Sequence, residues 1–185
     1  MKIAVRFVRD EQELEEECRS LKQKSCPHCK RSGTLNRHDA LRGNRADHAS
    51  EKQERGRRMW CSTRAGRGGC GRTVKILFAR TLPRHTLTAP MAWTILQGLL
   101  DNLPVKAAAE KLRMLLSTDS VYRFLRRLRD RLDALRAALL DRCRPPAIAA
   151  ADPLLQTAQH LRCAFPLSKS PLEAFQVSFQ RPFMG

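Results

Sequence analysis

The chain has 185 residues, with 35 lysines and arginines against 18 aspartates and glutamates and a formal net charge of +17 at pH 7. This length suits one modest core or two small modules, and the charge predicts a polyanionic partner, most simply nucleic acid. No apolar run reaches membrane length and no leading apolar segment marks a signal peptide, so we expect a cytoplasmic protein with reduced thiols and no membrane partner.

Residues 1–24 are predicted to form a β-α unit. Residues 3–8 are a short β-branched run typical of a strand, and Asp10 can cap a helix that continues to Gln23 with Leu14, Cys18 and Leu21 at helical spacing. Six of the 18 acidic residues lie between Asp10 and Glu17. Because these carboxylates would repel phosphate, we expect this helix to face away from any nucleic acid.

Residues 25–80 are predicted to form a zinc ribbon. Cys26 and Cys29 form a C-x-x-C pair, and Cys61 and Cys70 follow some thirty residues later, the last within a Gly-Gly-Cys-Gly turn. Two thiol pairs at this separation can supply four sulfurs to one tetrahedral ion. The sequence therefore predicts structural Zn²⁺ bound by these four cysteines.

Other interpretations of the first pair stay open. A disulfide exchanger would need a strand before the motif and an apolar helix after it, whereas a basic, turn-like segment follows. Covalent haem attachment needs histidine directly after the second cysteine, and Lys30 stands there. The thiols could also be unliganded, and His28, His38 or His48 could replace one ligand, although each is expected to be a surface histidine.

The segment between the two cysteine pairs is predicted to be a loop, with residues 36–53 a polar, flexible excursion. Strands should flank the second pair, and Trp60 is expected to pack beside it rather than to stack on an unpaired base. No acidic residue lies between Arg55 and Leu100. The predicted phosphate contacts in this acid-free region are Arg55, Arg57, Arg58, Arg64, Arg67, Arg72, Lys75 and Arg84.

Residues 81–87 are predicted to be a linker, and residues 88–143 a helix-turn-helix-like helical domain. Thr88 can cap a helix to Asp101, residues 105–112 form a second helix, Arg113–Leu116 a short connection, and Ser117 caps a third helix that extends to Cys143. In a helix-turn-helix the third helix enters the major groove. The side chains expected there are Thr118, Tyr122, Arg123, Arg126 and Arg127.

Residues 144–185 are predicted to be a C-terminal helical tail. One helix should run from Asp152 to Ala164, and Ser170 with Glu173 has the pattern of a capping box. Phe175 and Phe179 are expected to lie in a packed core or a dimer contact. The whole chain is thus predicted to be α+β.

The arrangement resembles the N-terminal module of bacterial insertion-sequence transposases, in which a zinc ribbon is joined to a helix-turn-helix. The resemblance covers residues 25 to about 131, and it implies a structural ribbon, DNA binding and a nucleoid-associated location. Such transposases also need a catalytic domain with three carboxylates, whereas Asp152 and Glu173 are the only acids beyond Asp141. The residues that carry it are Cys26-Pro27-His28-Cys29, Arg57-Arg58-Met59-Trp60-Cys61, Cys70-Gly71-Arg72-Thr73, Leu82-Pro83-Arg84 and 117–128.

We therefore expect a zinc-dependent, non-enzymatic protein that binds double-stranded DNA and has no small-molecule substrate. A homodimer or a transposase partner is compatible with this expectation. Two alternatives belong to other classes: an RNA-binding ribbon in which Trp60 or Tyr122 stacks on bases, and an adaptor whose zinc site is a scaffold for protein docking.

Overall fold

The structure, a computed structural model, describes residues 4–45, 48, 51–64, 68–112, 117–147 and 150–184. Within these residues the architecture is α+β, as predicted, with a four-stranded mixed sheet and seven helices. The strands are β1 (Ala4–Val8), β2 (Leu35–Asn44), β3 (Lys52–Cys61) and β4 (Thr73–Phe78). The helices are α1 (Glu11–Gln23), α2 (Ala89–Leu100), α3 (Val105–Glu110), α4 (Thr118–Arg129), α5 (Leu132–Leu140), α6 (Pro153–Ala164) and α7 (Pro171–Phe179).

The sheet unites the N-terminal β-α unit with the cysteine-rich segment. Its strand order is β1-β4-β3-β2, with β1 parallel to β4 and the other pairs antiparallel. Helix α1 begins after Asp10, whose side chain accepts a hydrogen bond from the Glu13 N–H at 2.9 Å, as predicted. Leu14 and Cys18 of α1 are buried in one core with residues of β3 and β4. The predicted domain boundaries stay predictions, but residues 4–24 share their sheet and core with described residues of the segment 25–80.

The prediction of a flexible excursion over residues 36–53 is wrong for residues 36–44 and 52–53, which lie in strands. Positions 46, 47, 49 and 50 lie outside the described residues. Strands β2 and β3 form a long antiparallel ladder that pairs Leu35 with Cys61 at one end and Asn44 with Lys52 at the other. Most β2 side chains beyond Leu35 are exposed or half-buried, so the hydrophobic alternation that identifies a half-buried strand is absent here. Backbone pairing holds the hairpin instead, and the ion pair between Arg37 and Glu15 attaches β2 to α1.

The prediction of one unbroken helix from residue 117 to Cys143 is also wrong. Helix α4 ends at Arg129, and α5 begins at Leu132 after Arg131 adopts φ −116° and ψ −2°. The break redirects the chain so that α5 packs on α6, where Arg136 Nε donates to Thr157 Oγ1 at 2.9 Å. Helical periodicity alone does not reveal it, because Leu128, Leu132 and Leu135 are all buried on either side of the break.

The predicted cap at Thr88 is confirmed, whereas the predicted caps at Ser117 and Ser170 are wrong. Thr88 caps α2 by accepting from the Met91 N–H, and Asp152 caps α6 by accepting from the Leu154 N–H at 2.7 Å. Ser117 and Ser170 occupy the N-cap positions of α4 and α7 without a capping side-chain hydrogen bond. The Ser117 hydroxyl lies 3.2 Å from that of Ser120 instead, and the predicted connection 113–116 lies outside the described residues.

The C-terminal tail packs into a second hydrophobic core, the helical core, which contains residues of α2 and of α4 to α7. Phe175 is buried there, and its ring centroid lies 4.7 Å from that of Phe179 and 5.6 Å from that of Phe183, so the expectation of packed core is confirmed. Gln176 is fully buried, and its Nε2 donates to the carbonyls of Ala79 and Thr81 at 2.6 and 3.1 Å. This side chain ties the tail to the end of β4.

Residues 81–87 are a packed turn. Leu82 and Leu87 are buried in the helical core, and Thr81 forms an isolated bridge with Thr88. The turn therefore fixes where α2 leaves the sheet. In the part of the chain that the structure describes, no helix combines the length and apolar character that crossing a membrane requires.

Candidate metal centre and basic surface

Four cysteines from three parts of the chain meet at one end of the sheet. The Sγ atoms of Cys26, Cys29, Cys61 and Cys70 all lie within 4.8 Å of one another. Cys26 Sγ is 3.9 Å from Cys70 Sγ, and Cys29 Sγ is 3.7 Å from Cys61 Sγ. A tetrahedral zinc ion with Zn–S bonds of about 2.3 Å sets its sulfurs about 3.8 Å apart, whereas a disulfide needs about 2 Å. This geometry fits a four-sulfur metal site.

Two tight turns hold these thiols. In the first, the Cys26 N–H donates to the Arg31 carbonyl and the Lys30 N–H donates to the Cys26 carbonyl, both at 2.8 Å. Lys30 has φ +64°, which closes the turn directly after Cys29. In the second turn the Gly71 N–H donates to the Cys61 carbonyl at 3.0 Å, so Cys70 folds back over the end of β3.

Gly69 is required where the second turn closes. A Cβ atom there would lie 2.1 Å from the Ser62 carbonyl oxygen and 2.8 Å from Cys61 Sγ. Both distances are shorter than van der Waals contact, and the first involves backbone that cannot turn aside. The glycine-rich pattern beside Cys70 therefore has a steric cause.

The surroundings of the four thiols favour thiolate at Cys61. Burial raises the pKa of Cys61, but the hydroxyl of Thr34, the Cys70 N–H and the neighbouring thiols outweigh it and lower that pKa to about 7. Thr34 Oγ1 lies 3.2 Å from Cys61 Sγ, and the Cys70 N–H donates to the same sulfur at 3.3 Å. Burial raises the pKa of Cys26 to about 11, so metal binding must displace a proton from that thiol.

The histidines lie outside this sulfur cluster in the described part of the chain. His28 Nε2 is 3.3 Å from the Thr73 carbonyl oxygen, and His38 Nδ1 is 2.7 Å from Asp39 Oδ1. His48 is exposed. Thr34 was missed in the sequence because a single threonine before a strand carries no metal-site signal.

The predicted phosphate contacts on β3 are partly engaged within the protein. Arg55 is half-buried, and its guanidinium donates to the carbonyls of His85 at 2.7 Å and Asn44 at 2.8 Å. Burial lowers the pKa of Arg55. Arg57 pairs with Glu54 at 3.0 Å, and Arg58 lies 3.5 Å from Asp39.

The other predicted contacts on the sheet and linker are more open. Arg64, Arg72 and Arg84 are exposed and Lys75 is half-buried, whereas Arg67 lies outside the described residues. Trp60 is half-buried, and its Nε1 donates to the Gly71 carbonyl at 3.1 Å, so the indole lies beside the second turn as expected.

Helix α4 divides cleanly into a buried and an exposed side. Val121, Phe124, Leu125 and Leu128 are buried in the helical core. Tyr122 is 53% exposed, an unusual value for a large aromatic side chain. Of the other predicted groove residues, Arg123, Arg126 and Arg127 are exposed and Thr118 is half-buried.

Two adjoining cavities connect these basic residues. A cavity of about 250 Å³ lies between the linker and α4 and is lined by Arg84, His85, Ser120, Arg123, Phe124 and Arg127 among others. A second, of about 380 Å³, lies over the sheet and is lined by Arg84, Arg55, Arg42 and Lys75 together with apolar residues. Arg84 borders both. The structure thus brings residues of β4, the linker and α4 onto one basic surface.

Comparison of the chain with protein-family models, with curated proteins and with solved structures finds no match. The resemblance to transposase modules therefore stays a prediction from the motifs. The structure shows four clustered thiols that could hold a metal ion, on the same chain as a basic surface.

Proposed function

We propose that the chain is a zinc-dependent, non-enzymatic DNA-binding protein related to the DNA-recognition modules of transposases. The observation that carries the proposal is the basic surface that runs from Lys75 through Arg84 to Arg123 and Arg127. The described residues that line its two cavities include no carboxylate. A surface of this kind attracts a polyanion and binds it with strong salt dependence.

Helices α2, α3 and α4 serve as the helix-turn-helix in this proposal. The short α3 packs against α2, where Gly98 is close enough that a Cβ would lie 2.9 Å from Ala108 Cβ. Helix α4 then presents Tyr122 and Arg126 outward, and an exposed arginine on such a helix can pair with a guanine edge in the major groove.

Zinc is assigned a structural role. Four sulfur ligands complete a tetrahedral shell, and a zinc ion with a complete protein shell has no open position for substrate or water. The ion would fix the end of β3 and the start of β4, from which Arg72 and Lys75 project.

Equilibrium binding to a fluorescent duplex of random sequence, measured by anisotropy over a salt series, tests the proposal. If six or more phosphates are contacted, affinity falls at least about a thousandfold between about 50 mM and about 200 mM salt. Arg126→Gln should weaken binding, whereas Arg19→Gln, which removes the same charge from α1, should not.

Two outcomes would overturn this proposal. A zinc-loaded protein that binds no duplex at low salt would favour the adaptor alternative. Tighter binding to single-stranded RNA than to duplex DNA would favour the RNA-binding alternative.

A further inference from the structure

The cavity between the linker and α4 has the features of a site for one anion. It has a volume of about 250 Å³, and three arginines, Arg84, Arg123 and Arg127, line it with His85 and Ser120. None of the described lining residues is acidic. Three positive side chains that line one cavity attract an anion, and a bound anion offsets the repulsion between them.

The walls of this cavity are held by contacts that do not involve a ligand. The His85 carbonyl accepts a hydrogen bond from Arg55 Nη1 at 2.7 Å, and the same guanidinium bonds the Asn44 carbonyl, so the linker is fixed to the hairpin. The His85 ring meets the Phe124 ring edge to face at 6.0 Å, which fixes the linker to α4. Arg123 Nη2 donates to Ser120 Oγ at 3.2 Å.

The backbone conformation of Arg84 also indicates a ligand site. Its φ of +64° lies in the left-handed region, which an arginine occupies only at a cost in free energy. This conformation places Arg84 at the border of both cavities. Strained non-glycine residues of this kind cluster at ligand sites.

The His85 ring contributes a polar group rather than a charge to this cavity. Burial lowers the pKa of His85, and the positive charge of Arg127 lowers it further. The imidazole therefore stays neutral near neutral pH and adds a hydrogen-bonding group without adding a fourth charge.

We infer that Arg84, Arg123 and Arg127 together bind a single phosphate group of the nucleic-acid backbone in this cavity, with His85 and Ser120 as further polar partners. A phosphate fits because its oxygens accept several charge-assisted hydrogen bonds at once, and arginine offers paired donors for them. This inference rests on the proposed function, and it names the chemical group that this part of the surface binds.

Two rows of side chains on α4 have different roles in this inference. Ser120, Arg123, Phe124 and Arg127 are three or four residues apart and share the row that faces the cavity. Tyr122 and Arg126 form the neighbouring exposed row. Arg123 and Arg127 thus hold the helix against the DNA backbone, while Tyr122 and Arg126 reach base edges. Arg123 and Arg127 were expected to enter the major groove, and in this inference they bind phosphate instead.

The first test uses inorganic phosphate on the full, zinc-loaded chain. Phosphate is titrated against chloride at constant ionic strength while the His85 ring and Ser120 amide signals are followed by nuclear magnetic resonance. We expect saturable shifts at both groups in the wild type and in Arg19→Gln, and affinity lower by about tenfold in Arg127→Gln. Arg127→Lys, which keeps the charge, should retain part of the affinity.

The second test compares duplexes of selected and random sequence. Arg127→Gln should weaken binding to both by the same factor and reduce the salt slope of log K by about one. Arg126→Gln should instead weaken the selected duplex more than the random one. Melting temperatures of Arg126→Gln and Arg127→Gln equal to that of the wild type would show that both exposed positions tolerate the substitution.

The outcomes separate the inference from the proposed function. If phosphate shifts no signal at the cavity, or if Arg127→Gln and Arg19→Gln bind it equally, the inference is overturned even when duplex binding persists. If phosphate binds in an Arg127-dependent way but no duplex does, the cavity binds phosphate from another source, and both the backbone assignment and the proposed function fail.

Discussion

The positions of the four clustered thiols depend on a few neighbouring groups. Cys26 and Cys29 are fixed by the turn that Lys30 closes, whereas Cys70 reaches Cys61 only because Gly69 has no side chain. Thr34 adds a hydroxyl 3.2 Å from the Cys61 sulfur. Groups that surround a ligand in this way orient it and adjust its basicity, so they matter for metal affinity nearly as much as the ligand itself.

Replacing one ligand should release the metal and unfold its surroundings. In Cys61→Ser we expect zinc content to fall from one ion per chain to less than half, and at least residues 25–80 to unfold, because binding energy at such sites, about 10 to 16 kcal/mol, is folding energy. Native mass spectrometry gives the zinc content and far-ultraviolet circular dichroism gives the loss of structure.

Cys163→Ser is the matched control, because Cys163 is an exposed cysteine on α6 outside the sulfur cluster. It should retain the wild-type zinc content and spectrum. A Cys61→Ser protein with an unchanged spectrum would contradict the structural role of the metal.

His85 makes stability depend on pH in a direction that follows from its lowered pKa. The unfolded chain binds a proton near the usual value of 6.5 while the folded chain does not, so folding stability is complete above that pH and falls as the pH decreases through it. One such group contributes a slope of less than about 1.4 kcal/mol per pH unit. In phosphate-free buffer, His85→Asn should flatten the pH dependence of the urea midpoint between about pH 7 and about pH 5.

His48→Asn serves as the comparison for this pH effect, because His48 is exposed and lies outside the cavity that His85 lines. That variant should keep the wild-type slope. Equal slopes in the wild type and His85→Asn would show that His85 does not control stability in this range.

At the scale of elements, amide side chains from the C-terminal tail join it to strands from distant parts of the chain. Gln176 bonds the Ala79 and Thr81 carbonyls, and Gln180 bonds both the N–H and the carbonyl of Phe7 at 2.8 and 3.0 Å. These bonds satisfy backbone groups at the ends of β1 and β4, which the sheet itself leaves unpaired. The C-terminal helix therefore completes the edge of the fold.

Gln176→Met should destabilise the protein although it keeps the size of the side chain. The change leaves the Ala79 and Thr81 carbonyls and the Phe183 N–H without this partner in a buried region, at about 1 to 3 kcal/mol for each group left unsatisfied. The urea midpoint measures the loss, and Gln97→Met on the exposed side of α2 should leave it unchanged. Equal midpoints for the two variants would show that the tail docks through its phenylalanines alone.

Local signals in the sequence predicted some elements and not others. The spacing of the cysteines predicted which four thiols come together, and Asp10, Thr88 and Asp152 marked helix starts, because each of these signals acts within a few residues. The β2–β3 hairpin was missed because its side chains are polar on both faces, and backbone pairing leaves no trace in side-chain periodicity. The parallel pairing of β1 with β4 joins residues about seventy positions apart, which no local pattern encodes.

For the basic surface, too, the sequence predicted one property and not another. Net charge and the acid-free stretch after Arg55 predicted a cationic region, but they could not separate arginines that serve the fold from those open to a ligand. Arg55 fixes the linker, whereas Arg84 and Arg127 line a cavity. That distinction depends on which carbonyls and carboxylates lie nearby, and only the folded chain determines it.

At the scale of the whole molecule, two hydrophobic cores are joined through the packed turn at residues 81–87. One core contains α1, the sheet and the cysteines, and the other contains helices α2 to α7. Arg84 lies on the turn between them and borders the cavities of both parts. A nucleic acid bound along this surface would contact both parts at once, so the orientation of sheet and helices sets the path of the backbone.

A binding selection is the most direct test of the proposed DNA recognition. Zinc-loaded protein is incubated with a pool of random duplexes at moderate salt, and the retained DNA is sequenced. We expect an enriched motif that disappears after zinc chelation. An inverted repeat within that motif would indicate a dimer. Recovery of sequences no different from the starting pool would contradict base recognition by α4, and failure to retain any duplex would contradict the proposed DNA-binding function.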